Sequence, residues 1–338
     1  MGKKTFQTAI KLAVSAGLMA ALYSKLDWSD IAAKLRGADA RWLGLAFAIM
    51  FLNTAVSAAK WRIFLKADGL AQPIPTLWAS YITASFFNLF LPSTIGGDAY
   101  RVADIGSRTG QHSRVAASIL ADRITGFLAL SLYGCGAAFF ARKFVVEWQH
   151  WFPLPSFCAL AALAALAVAL CSKRLMAIGL RLVPGAAFRA KVAGITGKVV
   201  DAMRLYAGRP RVLAGAIAIS FLFQFDLILA VWAITRAIGL GIPFATFFLF
   251  LPIKTFLEMV PVSVFGLGLR DLGYAIFMGA MGLGGEAAAC AALISAAEVL
   301  LTVVYSSIGG VVFICRRGNG EQGTGNRERG TEDENVEM

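Results

Sequence analysis

Five stretches of this chain run with few charges for about the 20 residues that a helix needs to cross the hydrocarbon of a bilayer. They are Trp42–Leu65, Arg114–Phe140, Pro155–Ser172, Val212–Thr235 and Glu286–Cys315. Composition agrees: hydrophobic residues make up 58% of the 338 and charged residues 15%, against about 45–50% and about 25% in soluble domains. Surface-to-volume scaling leaves too much area exposed for one folded core to hide that apolar surface from water. A cytosolic enzyme, a secreted disulfide scaffold and a disordered hub are thereby excluded.

A sixth span is predicted over Phe6–Tyr23, preceded by Lys3 and Lys4 and carrying Lys11, whose long side chain can snorkel to the interface. It has the start of a signal peptide but no clear small-x-small cleavage site, so it reads as retained. The formal charge of +12 is the ordinary outcome of topology and of attraction to anionic lipid, and implies no nucleic-acid partner. Cys135, Cys158, Cys171, Cys290 and Cys315 lie in apolar runs without CxxC spacing, and His112 and His150 are isolated. Neither a metal site nor a cofactor is expected.

Two further apolar regions are interrupted. Residues 69–97 hold no charge before Asp98 but contain Pro73, Pro75, Pro92 and Gly96-Gly97; residues 237–285 contain Pro243, Pro252, Pro261, Gly266 and Gly268. Proline removes a helix donor and clashes with the preceding turn. Irregular backbone at membrane depth persists only where protein or a water-filled cavity satisfies it. Both regions therefore read as re-entrant helix–break–helix hairpins. The positive-inside rule supports six spans plus two hairpins. With Lys3 and Lys4 in the cytoplasm, that count puts Lys60, Arg62, Lys66, Arg101, Arg108, Arg114, the basic segment Lys173–Arg211 and Arg316-Arg317 on the same side.

The predicted fold is thus an all-α polytopic membrane protein with about six spanning helices and two re-entrant hairpins in an inverted repeat. One transmembrane domain covers residues 1–317, with repeat A at about 42–141 and repeat B at about 211–315. A basic amphipathic connector at about 173–210 lies on the inner leaflet, and residues 318–338 form a disordered cytoplasmic tail. Both termini are cytoplasmic and the membrane is the plasma (inner) membrane. The repeat is read from Gly69-Leu70, Pro75, the aromatic run to Pro92 and Arg101, against Gly239-Leu240, Pro243, the aromatic run to Pro252 and Arg270. Broken helices of opposite orientation meet near the midplane and form a binding site in such folds.

Charged groups inside a bilayer usually face a cavity or a partner. The candidates are Asp98 with Arg101, Asp122 with Arg123, Asp226, Lys254 with Glu258, Arg270 with Asp271, and Glu298. Lys254 and Glu258 share a helix face at i,i+4 and can neutralise each other. Asp122 and Arg123 are adjacent, so each needs a partner from elsewhere. Gly96, Gly97, Gly266 and Gly268 permit turns that let backbone N–H groups approach an anion, while Arg101 or Arg270 offers a bidentate fork for phosphate.

The run Asn88-Leu89-Phe90-Leu91-Pro92-Ser93-Thr94-Ile95-Gly96-Gly97-Asp98-Ala99-Tyr100-Arg101, with Asp122-Arg123-Ile124-Thr125-Gly126, resembles the lysylphosphatidylglycerol synthase transmembrane-region family, also called flippase-like integral membrane proteins. Trp61-Arg62 and Pro261…Gly266-Leu267-Gly268-Leu269-Arg270-Asp271 are similar to further features of that family, with Phe265 in place of a glycine. The fused aminoacyl-transferring domain has no counterpart here, and Glu298 stands near a position where the family usually carries arginine. The resemblance implies translocation of a phospholipid or polyprenyl-phosphate lipid, with Asn88, Gly96, Gly97, Asp98, Arg101, Asp122, Arg123, Lys254, Glu258, Gly266, Gly268, Arg270, Asp271 and Glu298 as the substrate-binding set. With no catalytic constellation in view, a transporter is favoured over an enzyme. The alternatives are a membrane transferase acting on polyprenyl-phosphate-linked sugar, and an accessory subunit of a separately encoded lipid-modifying enzyme. Oligomerisation is compatible with either.

Overall fold

The computed structural model describes residues 33, 35–90, 95–140, 143–146, 150–171, 200, 204, 206, 208–259 and 268–334, and among them all regular structure is helical. Nine α-helices follow in order: α1 Ala40–Ala67, α2 Ile74–Phe90, α3 Ile95–Thr109, α4 His112–Phe140, α5 Leu154–Cys171, α6 Pro210–Ala237, α7 Phe244–Met259, α8 Leu269–Ala280 and α9 Ala287–Glu334. Four segments are long and apolar enough to cross a membrane: α1, α4, α6 and Gly284–Arg316, which contains the first part of α9. The expected span at Pro155–Ser172 falls on α5, where Leu154–Ala165 is a shorter apolar helix and not one of the four. The sixth, at Phe6–Tyr23, and most of the basic connector lie outside the described residues.

Helices α1 and α6 are both 28 residues long, and their starts, ends and caps lie 170 positions apart (40 and 210, 67 and 237, 69 and 239), as does the Asn53–Phe223 contact that joins them. Each ends in the same way. Gly69 takes φ 72° and Gly239 φ 80°, and the next residue donates back five positions, Leu70 N to Leu65 O at 2.8 Å and Leu240 N to Thr235 O at 2.9 Å. This is the Schellman cap, whose left-handed position glycine takes without Cβ strain. Asp39 N donates to Ala237 O at 2.9 Å, and the Arg209 guanidinium caps Ala67 O. The start of each helix thus meets the end of the other, so the two pack antiparallel.

After each of these helices comes a packed pair, α2 with α3 and α7 with α8, and then a long helix, α4 or α9. The halves interlock: α2 lies on α9, and α7 lies on α4. Lipid offers little hydrophobic drive between helices, so close approach of small residues takes its place. A Cβ on Gly309 would strike the Ile82 carbonyl, and one on Gly310 would come 2.8 Å from the Phe86 ring. A Cβ on Gly134 would meet Ser156 and lie 3.3 Å from Pro252. Phe87 also stacks on Tyr100 with centroids 4.9 Å apart, and Phe313 closes on both rings.

One expectation is corrected. Pro252 does not interrupt the second apolar region; it lies inside α7, where it packs near Gly134 of α4 beside Ser156.

Candidate functional site

Charged side chains gather in two sets, one in each half. The first draws on all four helices of its half. Lys60 of α1 lies 2.9 Å from Asp122 Oδ1 on α4 and donates to the Asp122 backbone carbonyl at 3.0 Å. The Tyr81 hydroxyl of α2 donates to Asp122 Oδ2 at 2.8 Å and accepts from Arg101 Nη2 of α3 at 2.7 Å. Arg101 also reaches Asp98 Oδ1 at 3.1 Å and Asp122 Oδ2 at 3.5 Å. Asp98 pairs through its other oxygen with Arg123. Adjacent Asp122 and Arg123 therefore turn to different partners, as their helical spacing requires.

Arg101 is 4% exposed, with its guanidinium carbon 4.1 Å from the Trp61 ring centroid and 3.8 Å from that of Tyr81. Cation–π contact of this kind contributes about 2 kcal/mol when desolvated. Trp61 is fixed by its indole N–H, which donates to Ser118 Oγ at 2.8 Å. Asn88 Oδ1 accepts from Gly97 N at 2.7 Å, and a Cβ on Gly97 would lie 2.7 Å from both that oxygen and Ala84 O. Asn88 and Gly97 thus hold α3 against α2 and set the height of Asp98 and Arg101. Gly96 sits in the first turn of α3.

The second set joins α7, α8 and α9. Lys254 Nζ stands between Glu298 at 2.7 Å and Glu258 at 3.2 Å, and Tyr274 OH donates to the other Glu298 oxygen at 2.7 Å. Arg270 Nε donates to Ser295 Oγ at 3.0 Å. Gly268, at φ 84°, is the N-cap of α8, and its N–H donates to Asp271 Oδ2 at 2.9 Å. Asp271 thereby caps α8 and also sits at the favourable end of the helix dipole. Gly266 lies outside the described residues.

The sets differ in sign. The first holds three cations (Lys60, Arg101, Arg123) and two carboxylates (Asp98, Asp122). The second holds two cations (Lys254, Arg270) and three carboxylates (Glu258, Asp271, Glu298). The hydrogen bonds and ion pairs above stay within one set or the other, so the structure does not bring Arg101 and Arg270 onto a shared partner. Asp226, buried on α6 with Oδ2 unbonded among the described residues, joins neither set through those bonds.

Lys60, Trp61, Tyr81, Tyr274 and Ser295 were not among the sequence candidates. Lys60 is the largest correction: read as a marker of the cytoplasmic rim, it is 4% exposed and paired with Asp122. One signal was present, since Asn53, Ser57, Lys60 and Phe64 recur at helical spacing and all are buried on one face of α1. Arg114 binds Asp68 at 2.9 Å and joins the end of α1 to the start of α4. Arg316 at the far part of α9 likewise reaches Asp104 of α3 at 3.2 Å.

Among the described residues no three His, Cys, Asp or Glu side chains are grouped to hold a metal ion. No curated protein matches the chain. The family described as lysylphosphatidylglycerol synthase TM region matches residues 8–306, which include every residue of both charged sets. The chain is a membrane protein and belongs to the lysylphosphatidylglycerol synthase TM-region family.

Proposed function

We propose that the protein moves an anionic, phosphate-bearing lipid between the leaflets of the inner membrane, with both termini cytoplasmic. The observation that carries this reading is the first charged set: three cations against two carboxylates, inside a helix bundle and lined by Trp61 and Tyr81. A formal surplus of one positive charge in low dielectric calls for a monoanion, and a phosphodiester is one. Arg123, whose side chain is 33% exposed, and Asp98, at 19%, form the reachable edge. A headgroup phosphate arriving there competes with Asp98 for the two arginines, and Arg101 stays oriented by its aromatic neighbours.

The α2–α3 and α7–α8 pairs are read as re-entrant hairpins of an inverted repeat. Support comes from the equal lengths and matching caps of α1 and α6 and from their antiparallel packing, which is what equivalent helices of opposite orientation require. The remaining candidate residues, Lys254, Glu258, Gly266, Gly268, Arg270, Asp271 and Glu298, belong on this reading to the second half of the same path.

The test is lipid movement by purified protein in liposomes, comparing wild type with Arg101→Ala and Arg123→Ala. Both variants should lose most of the movement of a fluorescent-tailed phosphatidylglycerol. Unchanged movement of every anionic phospholipid and polyprenyl phosphate in both variants rejects the proposal.

A further inference from the structure

We propose that the second set, on α7, α8 and α9, is a proton site that couples lipid movement to a pH gradient; this rests on the translocase reading above. The set carries three carboxylates against two cations, leaving one negative charge uncompensated inside the helix bundle. Buried charge of this kind is removed by neutralisation more readily than it is tolerated.

Two buried atoms point the same way. Asp271 is 1% and Arg270 3% exposed, yet among the described residues Asp271 Oδ1 and Arg270 Nη2 have no hydrogen-bond partner. Polar atoms left bare at such depth are uncommon in a finished structural network. The groups facing Glu258 are Lys254 on its own helix, Arg270 and Tyr274 on α8, and Glu298 on α9. No charged side chain of α4, α5 or α6 is among its described neighbours. Lys254, Tyr274 and Phe250 line a void of about 10 Å³ with Val231, Phe247 and Gly273, room for about one water beside the ammonium.

Glu258 is the group that takes the proton. Glu298 has both oxygens engaged, by Lys254 and by Tyr274, and Asp271 is committed to the α8 cap. Glu258 has a single and longer pairing, 3.2 Å to Lys254, and its side chain is 27% exposed, the most of the three where the value decides access. A proton from water adds to a Glu258 carboxylate oxygen and forms an O–H bond. Lys254 then pairs with Glu298 alone, and the set becomes neutral. When Glu258 ionises again the proton returns to water.

Charge counting makes the two sites interdependent. Empty, the first set is +1 and the second −1; loaded with a phosphodiester and a proton, each is neutral. Counted over both sets together, the protein is neutral when empty and when doubly loaded and carries one net charge with either ligand alone, which is the costly state to move across a bilayer. The geometry therefore favours moving the lipid and the proton together, with no net charge transferred.

Proteoliposomes containing fluorescent-tailed phosphatidylglycerol test this, under either a pH difference or a potassium potential set by valinomycin. For wild type, a pH difference of about one unit should hold a leaflet ratio of up to about tenfold, and the potential alone should hold none. Glu258→Gln should lose the gradient-driven ratio. Equal, gradient-independent exchange by both proteins overturns the coupling. Infrared pH-difference spectra read the proton directly: a carboxylic-acid band present in wild type should vanish in Glu258→Gln and persist in Glu298→Gln. If lipid does not move in any vesicle but the band behaves so, the translocase reading fails and the proton site stands. Absence of the band overturns the proton site itself.

Discussion

Replacing Asp122 by Asn keeps the side chain's shape but removes the charge that Lys60 and Arg101 share. The Lys60 and Asp122 side chains are 5% and 9% exposed, so the pair is screened little by solvent. Removing one partner of a buried pair costs about 3–5 kcal/mol, because the other charge remains without compensation. The one amide oxygen of Asn can still accept from Tyr81 while Lys60 keeps the backbone carbonyl, which places Asp122→Asn near the lower end, about 3 kcal/mol. That is a change of about 100-fold in the folding equilibrium. Adding Lys60→Met should recover part of the loss, since no lone cation is then left; contacting pairs of this sort show interaction energies of about 0.5–3 kcal/mol. The assay is unfolding in mixed detergent micelles, followed by tryptophan fluorescence, for wild type, both single variants and the double. Trp61 borders the set and reports on it. If Asp122→Asn costs under about 1 kcal/mol, or the double variant costs the plain sum of the singles, the account of the first set as one interacting unit is wrong.

The remaining expectations follow from single contacts. Tyr81→Phe deletes the hydroxyl between Arg101 and Asp122 and should lower stability in the same micelle assay by about 1–3 kcal/mol. Gly309→Ala drives a Cβ into the Ile82 carbonyl and should cost about 1–3 kcal/mol by overpacking, read as a lower thermal midpoint. Gly97→Ala should unseat α3 from Asn88 and raise protease cleavage between α2 and α3, with Asn88→Ala giving a milder form of the same defect. Arg108→Ala touches a pair whose arginine side chain is 46% exposed and should change stability by no more than about 1 kcal/mol; a larger loss there would undermine the ranking of sites by burial.

Helices α1, α4, α6 and α9 were legible because a long apolar run admits few other readings. Gly69-Leu70 and Gly239-Leu240 were visible as matching marks of a repeat, but not as the left-handed caps that end α1 and α6. Pro252 was misjudged for a physical reason: the rule against proline inside a helix takes no account of a neighbouring helix packed near the ring. Lys60 was misplaced because charge counting treats any lysine near the end of an apolar run as interfacial. Its burial depends on Asp122, 62 positions away, which local pattern does not disclose. The Lys254–Glu258 pair was visible at i,i+4, but not Glu298 as the second claimant on the same ammonium. Tyr81 and Tyr274 gave no signal, because an aromatic in an apolar helix is indistinguishable from ordinary packing until its hydroxyl finds a partner.

The crossed seating of the halves bears on how the chain is made. Helix α2 waits for α9, whose first residue leaves the ribosome almost two hundred positions later, so the growing protein inserts with an unfilled groove beside Ile82 and Phe86. The first charged set does not share that delay. Lys60, Tyr81, Asp98, Arg101, Asp122 and Arg123 all belong to the first four helices, so their charges can find one another as soon as α4 is in place. Biogenesis thus has two stages in this architecture: early ion pairing within one half, then a late keying of each half's short helix pair into the other's long helix.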